Sequence, residues 1–413
     1  MKIFSPAHFL RHISMPTLRE FTDAHILGSS LSIDWDAPAD TLPTQVSEAV
    51  NTLEASLHDA ENVPDALETI ERNLHLWHDD LRRAHLLSNE FATKEFQIIC
   101  AKDHAVLAAF ADRDMREKAL WIFTFRDQVF RDVELHLAFQ AKANGKYWKK
   151  HRIQAGLELT KDRAQLELFS NEVANLYEKI GGGKSTHIEV SKHASDDSVQ
   201  LTIYVEGPVT ALEHFADNNF KRMTTRIALE TAVVYQRSTG NVESVVKGGA
   251  KNHQAVLSLF GKHIVGHNIK PEEIEKTRFK LNELRDGILE PFEDISSIGV
   301  DKIRLRRAKF TPRGSTGVAF QIEASAENDK DDAINLARKT LKVQHAFEAE
   351  YNMDGASVLV LMRAEGGKKG RHFSFDLYST GSSTIKNLAL HNQSIANAVL
   401  KSLNVIDSDE AAA

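Results

Sequence analysis

A single change of period constrains this chain more than any motif in it. Up to Gly181-Gly182-Gly183 the apolar residues recur at helical spacing, and beyond those glycines they alternate as strands do. From Asp40 to Ile180, Val46, Val50, Leu53 and Leu57 share one helix face, and Pro43 and Pro64 stand where first turns are expected. Further helices are predicted over 64–101, 103–112, 115–142 and 160–180, with two short ones, divided by Pro16, ahead of them. After the glycines, Val199, Leu201, Ile203 and Val205 alternate with Gln200, Thr202 and Tyr204, which reads as a half-buried strand.

In this second half, two strand-like runs followed by one helix-like run recur four times. The first unit pairs 186–193 with 199–205 and closes on a helix expected at 209–217. The second pairs 227–236 with 242–247 across Ser-Thr-Gly-Asn and runs into a helix over 251–265. The third pairs 300–310 with 317–325 before a helix over 329–351, and the fourth pairs 356–364 with 371–378 before a helix over 386–403. Hairpins separated by helices give antiparallel sheets covered on one face. The fold class expected is therefore α+β: an all-helical domain over 1–180, then four ββα units, two over 181–268 and two over 269–413. The region 181–413 can equally form one domain, and 266–298, with Pro271, Gly287 and Pro291, is the expected joint.

Charge and cysteine usage limit what such a chain can do. Residues 1–180 hold 21 Lys and Arg against 28 Asp and Glu, while 181–413 hold 30 against 30, so the net charge of -7 belongs to the helical half. That balance argues against indiscriminate coating of nucleic acid but leaves local basic patches open. No apolar run approaches the roughly 18 residues that cross a bilayer, and the start lacks the pattern of a secretory signal. A lone Cys100 can form no internal disulfide, and the expectation is a cytoplasmic protein.

Catalytic signatures are missing in their recognisable forms. Gly181-Gly182-Gly183-Lys184-Ser185-Thr186 resembles the end of a phosphate loop, yet Glu178 stands where Walker spacing needs glycine, and the order is helix, loop, strand. A helix stop explains these glycines better, with a small anion nest as the alternative. Glu71, His75, His78, Arg82 and His85 fall on one helix face, but Arg82 would repel a cation, so no metal and no cofactor is expected. No nucleophile elbow or dinucleotide turn occurs, and Cys100 sits in an apolar helical context.

Three basic segments remain as binding candidates. In a helix, the run 146–152 puts Lys146, Lys149 and Lys150 on one face and sets Trp148 beside Arg152, suiting phosphate contact with base stacking, or a basic helix end with a snorkelling Trp. Along 301–310, alternation puts Lys302, Arg304 and Arg306 on one sheet face, a row that can track a phosphate backbone or guard an edge strand. The third is the Gly-rich hairpin with Lys368, Lys369 and Arg371.

These residues point to a non-enzymatic binding or accessory protein that contacts nucleic acid through the basic strand and hairpin, the acidic helical half serving as a protein-docking or self-association surface. One alternative is a protein-interaction subunit or homo-oligomer with no nucleic-acid role. Another is an enzyme whose His and carboxylate site is dispersed along the chain.

Overall fold

Side-chain caps set the helix starts in the first half of the chain. Asn89 accepts from Ala92 N, Asp103 from Ala105 N and Val106 N, and Asp114 with Glu117 completes a reciprocal capping box. The helices are α1 (Pro6–Leu10), α2 (Met15–Ala24), α3 (Leu42–Asp59), α4 (Pro64–Leu86), α5 (Glu90–Ile99), α6 (His104–Phe110), α7 (Met115–Phe125) and α8 (Asp127–Lys142). They bury two apolar clusters, one around Phe21, Trp77 and Leu81 and one around Phe96, Ile122 and Phe130. The computed structural model describes residues 4–59, 64–143, 145–193, 195–216, 219–274, 278–288, 293–314, 317–325, 331–341, 350–364 and 370–406.

Alternation takes over after α8. The next elements are β1 (Trp148–Arg152), α9 (Arg163–Asn175), β2 (Thr186–Lys192), β3 (Ser198–Ala216), β4 (Asn219–Gln236), β5 (Asn241–Val245), α10 (Ala250–Leu259) and β6 (Glu272–Ile274). The strands form a six-stranded sheet in the order β2-β3-β4-β5-β1-β6. One face is dry: Leu201, Ile203, Val205, Val233, Tyr235 and Val242 join Phe169 and Val173 of α9 and Val256 and Leu257 of α10. On the opposite face, Trp148, Ala232, Val234 and Val245 meet Phe139 and Ala143 at the end of α8.

The last part of the chain builds α11 (Glu293–Ser296), β7 (Val300–Pro312), β8 (Phe320–Glu323), α12 (Ala333–Leu341), β9 (Tyr351–Met362), β10 (His372–Tyr378) and α13 (Leu390–Ser402). Its four strands are ordered β10-β9-β7-β8. Ile303, Leu305, Ala308, Phe310, Val358, Val360, Phe375 and Leu377 point to one side, where they pack with Ile334 of α12 and Ile395 and Val399 of α13. Buried Asp332 fastens α12 to this sheet by accepting from Leu305 N at 2.8 Å, Ile288 N at 3.3 Å and Ile334 N at 2.9 Å. The chain divides into two compact units, residues 1–143 with 147–273, and residues 144–146 with 274–413.

The fold is α+β, with helices concentrated in the first half and antiparallel sheets in the second. The helices expected over 64–101 and 115–142 are each two helices, and one expected helix is strand. Residues 209–216 are not a helix but the outer part of β3, paired in register with 219–226. Cross-strand backbone bonds to β4, whose partner segment carries the β-branched Thr224 and Thr225, override the helical spacing of Leu212 and Phe215. No helix of the described residues is long and apolar enough to cross a membrane.

Candidate nucleic-acid interface

Strand β7 carries the densest cationic row. It pairs with β9 with register shifts at Val300/Lys302, Leu305/Arg307 and Lys309/Phe310, so strict alternation fails where Arg306 bulges out of the ladder. Ile303 and Leu305, then Ala308 and Phe310, face the core, which leaves Lys302, Arg304, the Arg306-Arg307 pair and Lys309 on the outward side. Lys302 and Lys309 are exposed. Arg307 Nη2 donates to Asp376 Oδ1 of β10 at 2.8 Å, and Arg306 Nε lies 3.9 Å from Glu323 Oε1 of β8, too far for a hydrogen bond.

Arg304 departs from the expectation of an exposed cation, being only 6% accessible. Its Nη1 and the Nε of Arg306 are buried without an acceptor among the described residues. A buried guanidinium donor without a partner is a costly arrangement, and at this depth these two N–H groups are not the ones a ligand on the outward face would meet first.

The 146–152 segment is corrected in two respects. It is strand rather than helix over Trp148–Arg152, because its backbone completes the ladder with β5, from Trp148↔Val245 to Arg152↔Asn241. Trp148 is 7% exposed and donates Nε1 to Glu243 Oε2 at 2.9 Å, so its ring is a core side chain and not a stacking platform. Lys149 bonds Glu273, and Lys150 lies 3.8 Å from the Glu243 carboxylate. Arg152, at the strand end, stays exposed. The basic run is thus largely neutralised by two glutamates distant in sequence.

Arg371 is exposed at the start of β10, while Lys368 and Lys369 lie outside the described residues. The glycines at 181–183 terminate a helical turn: Gly181 has φ 82°, Gly182 N donates to Tyr177 O, and Gly183 N donates to Glu206 O. With those two amides committed, no nest remains for an anion. Of the histidine stripe on α4, His75 and His85 are exposed and Arg82 pairs with Asp79. No group of three or more His, Cys, Asp or Glu is set to hold a metal among the described residues.

Sequence reading passed over a buried polar cluster between α8 and the six-stranded sheet. The rings of His136 and His193 stack at 3.6 Å, and both residues are under 7% exposed. His136 Nδ1 meets the buried Glu95 Oε2 at 3.2 Å. Gln200 donates Nε2 to Leu135 O and Thr202 Oγ1, so its Oε1 accepts from His193 Nε2 at 2.8 Å, which places the lone pair of a neutral His193 on Nδ1. Burial, and then the charge of His136, push the His193 pKa down to about 4, against the Gln200 bond, so the ring is neutral near pH 7. A cavity of about 60 Å³ adjoins it, lined among others by Gln140, Asp196, Ser198, Asn241 and Glu243, a size that suits a few waters. The available signal was His136 three places from both Val133 and Phe139, a polar residue on the buried face of α8.

Compared with known proteins, the chain matches no protein family and no curated sequence.

Proposed function

We propose that this protein works by binding, and that it takes a nucleic acid on the outward face of its four-stranded sheet. The observation that carries this reading is the composition of that face. Lys302, Arg304, Arg306, Arg307 and Lys309 are set against Asp376 and Glu323, and Lys302 and Lys309 are exposed with Arg306 part-exposed between them. Exposed His372 and Tyr378 on β10 border the row and offer ring faces beside it. Nucleic acid fits better than a compact anion because the outward cations of β7 run along one strand, with same-face residues about 6.6–6.8 Å apart, close to the phosphate repeat of an extended single strand.

The test is fluorescence anisotropy with labelled duplex DNA, single-stranded DNA and RNA, each at low and near-physiological salt. Changing Lys302, Arg306 and Lys309 together to Ala is expected to weaken binding across sequences and reduce the log–log salt slope by about 2 on a single strand, at about 0.7 for each phosphate left unneutralised. Lys149→Gln, whose ammonium is held by Glu273, is expected to leave affinity unchanged. Wild-type binding that survives the triple change would refute this face as the site. No wild-type binding would return the protein to the protein-interaction reading.

A further inference from the structure

Strands β3 and β4 run far beyond the sheet they belong to. They are 19 and 18 residues long, yet β2 pairs only with 199–205 of β3, and β5 only with 232–236 of β4. Past a register shift between Glu206 and Val209, residues 209–216 and 219–226 pair with each other, and no further strand joins them among the described residues. These eight pairs make a two-stranded ribbon about 26 Å long. A lone ribbon of this kind is marginal in water without a surface to lie on.

The ribbon also exposes what such a surface would bury. On one face Ile227 is 49% exposed, Met223 48% and Leu212 36%, while Val209, 57% exposed, sits opposite Arg226 on the other face. Register places Leu212 directly opposite Met223, and the even spacing along β4 continues this side through Ile227 to Leu229, which packs against the dry core of the sheet. An apolar stripe therefore leaves the core and runs out along the ribbon. Polyanion binding is a poor account of it, because Arg222 is paired with Glu213 and Arg226 with Glu206.

We propose that the ribbon is a dimerisation arm that embraces a second copy of this chain. Area decides the occupant. About 26 Å by about 10 Å gives each ribbon face about 250 Å², well short of the ~800 Å² per partner that a stable interface buries. Two arms exchanged across a two-fold axis change that total. Each chain then buries both faces of its own arm and the surface that receives its partner's arm, about 800–1,000 Å² in all, and a two-fold contact closes on itself without fibre growth. A single partner gripped by one arm does not reach this area.

Sedimentation velocity or light scattering of the full chain over a concentration series tests the proposal. A species of twice the chain mass is expected for the wild type. Leu212→Lys with Met223→Lys is expected to weaken the dimer by more than about 100-fold, as for paired central anchors. The tryptophan-fluorescence unfolding midpoint, measured at a concentration where both proteins are monomeric, is expected to stay unchanged, because these side chains belong to no core cluster. A second variant, with 209–226 excised and the strands closed by a two-residue Asn-Gly turn, is expected to be monomeric too. A wild type that is monomeric at every concentration, or a dimer that persists in both variants, overturns the proposal.

Discussion

Lowering the pH from 7.5 to 5 is expected to destabilise the first unit by about 4 kcal/mol through two buried histidines, about 2 kcal/mol each. His193 and His253 both have pKa values pushed down to about 4 from the ordinary 6.5. Burial is the main cause for both; the charge of His136 adds to it at His193, and those of Lys149 and His151 at His253. Each ring is neutral in the fold and takes a proton on unfolding, so between pH 6.5 and 4 the unfolded chain binds more protons and stability rises with pH. The contribution is complete above pH 6.5, is lost as pH falls towards 4, and falls no further below that. The two rings share no hydrogen-bond partner, His253 Nδ1 meeting Ser244 Oγ at 2.9 Å, so their effects are expected to add. All four tryptophans, at positions 35, 77, 121 and 148, lie in the first unit, so urea unfolding followed by their fluorescence reports on that unit. His193→Gln keeps an amide N–H for Gln200 and removes the titration. Its stability loss over the same pH step is expected to be about 2 kcal/mol smaller than that of the wild type. An identical loss in the variant would refute the idea that a neutral, buried His193 couples this interface to pH.

Two further outcomes follow from single side chains. Asp332→Ala removes a buried carboxylate that accepts from three backbone amides, at Ile288, Leu305 and Ile334, and is expected to cost about 3 kcal/mol in chemical unfolding of the second unit. Asp332→Asn, which keeps a carbonyl acceptor, should recover part of that; equal losses would show that the bonds to the carboxylate do not matter. Trp148→Phe keeps an aromatic ring in its cluster but takes the N–H from Glu243, with an expected loss of about 1–2 kcal/mol and no change in nucleic-acid affinity. A marked loss of affinity in that variant would reinstate Trp148 as a stacking residue.

Periodicity made much of this fold legible, and failed where distant partners decide. The hairpin of β4 and β5 and the strands β7, β9 and β10 follow local alternation and turn residues, which a single sequence carries. Residues 209–216 contain the helix formers Ala211, Leu212 and Glu213, with Phe215 and Ala216 three and four places beyond Leu212, and only the register with 219–226 makes them strand. The basic row on β7 was legible as a row, but the bulge at Arg306 and the burial of Arg304 were not, because both depend on β9 and on packing. Trp148 was misplaced for a related reason: its partner Glu243 lies 95 residues away. The stack of His136 on His193 joins a helix to the loop after β2, and no local pattern announces such a pair.

The two faces of the six-stranded sheet are held by different physics. Against α9 and α10 the contact is dry and apolar, of the kind whose stability grows with buried area. Against the helical layer the apolar cluster is small, and the contact is completed by polar pairs. Arg131 of α8 bridges Glu134 and Glu189 of β2, Arg83 of α4 also holds Glu134, Gln200 reaches Leu135 O, and Lys142 pairs with Glu230. These ion-paired side chains are 21–39% exposed, so each pair adds little net stability while holding two long side chains in one geometry. Such an interface admits one docking register for the helices and penalises its neighbours, which an apolar contact of the same size would do less well. His193 sits inside this contact, so protonating it acts on the least apolar face of the sheet, and the loss of stability towards pH 5 is expected to begin with separation of α8 from the strands.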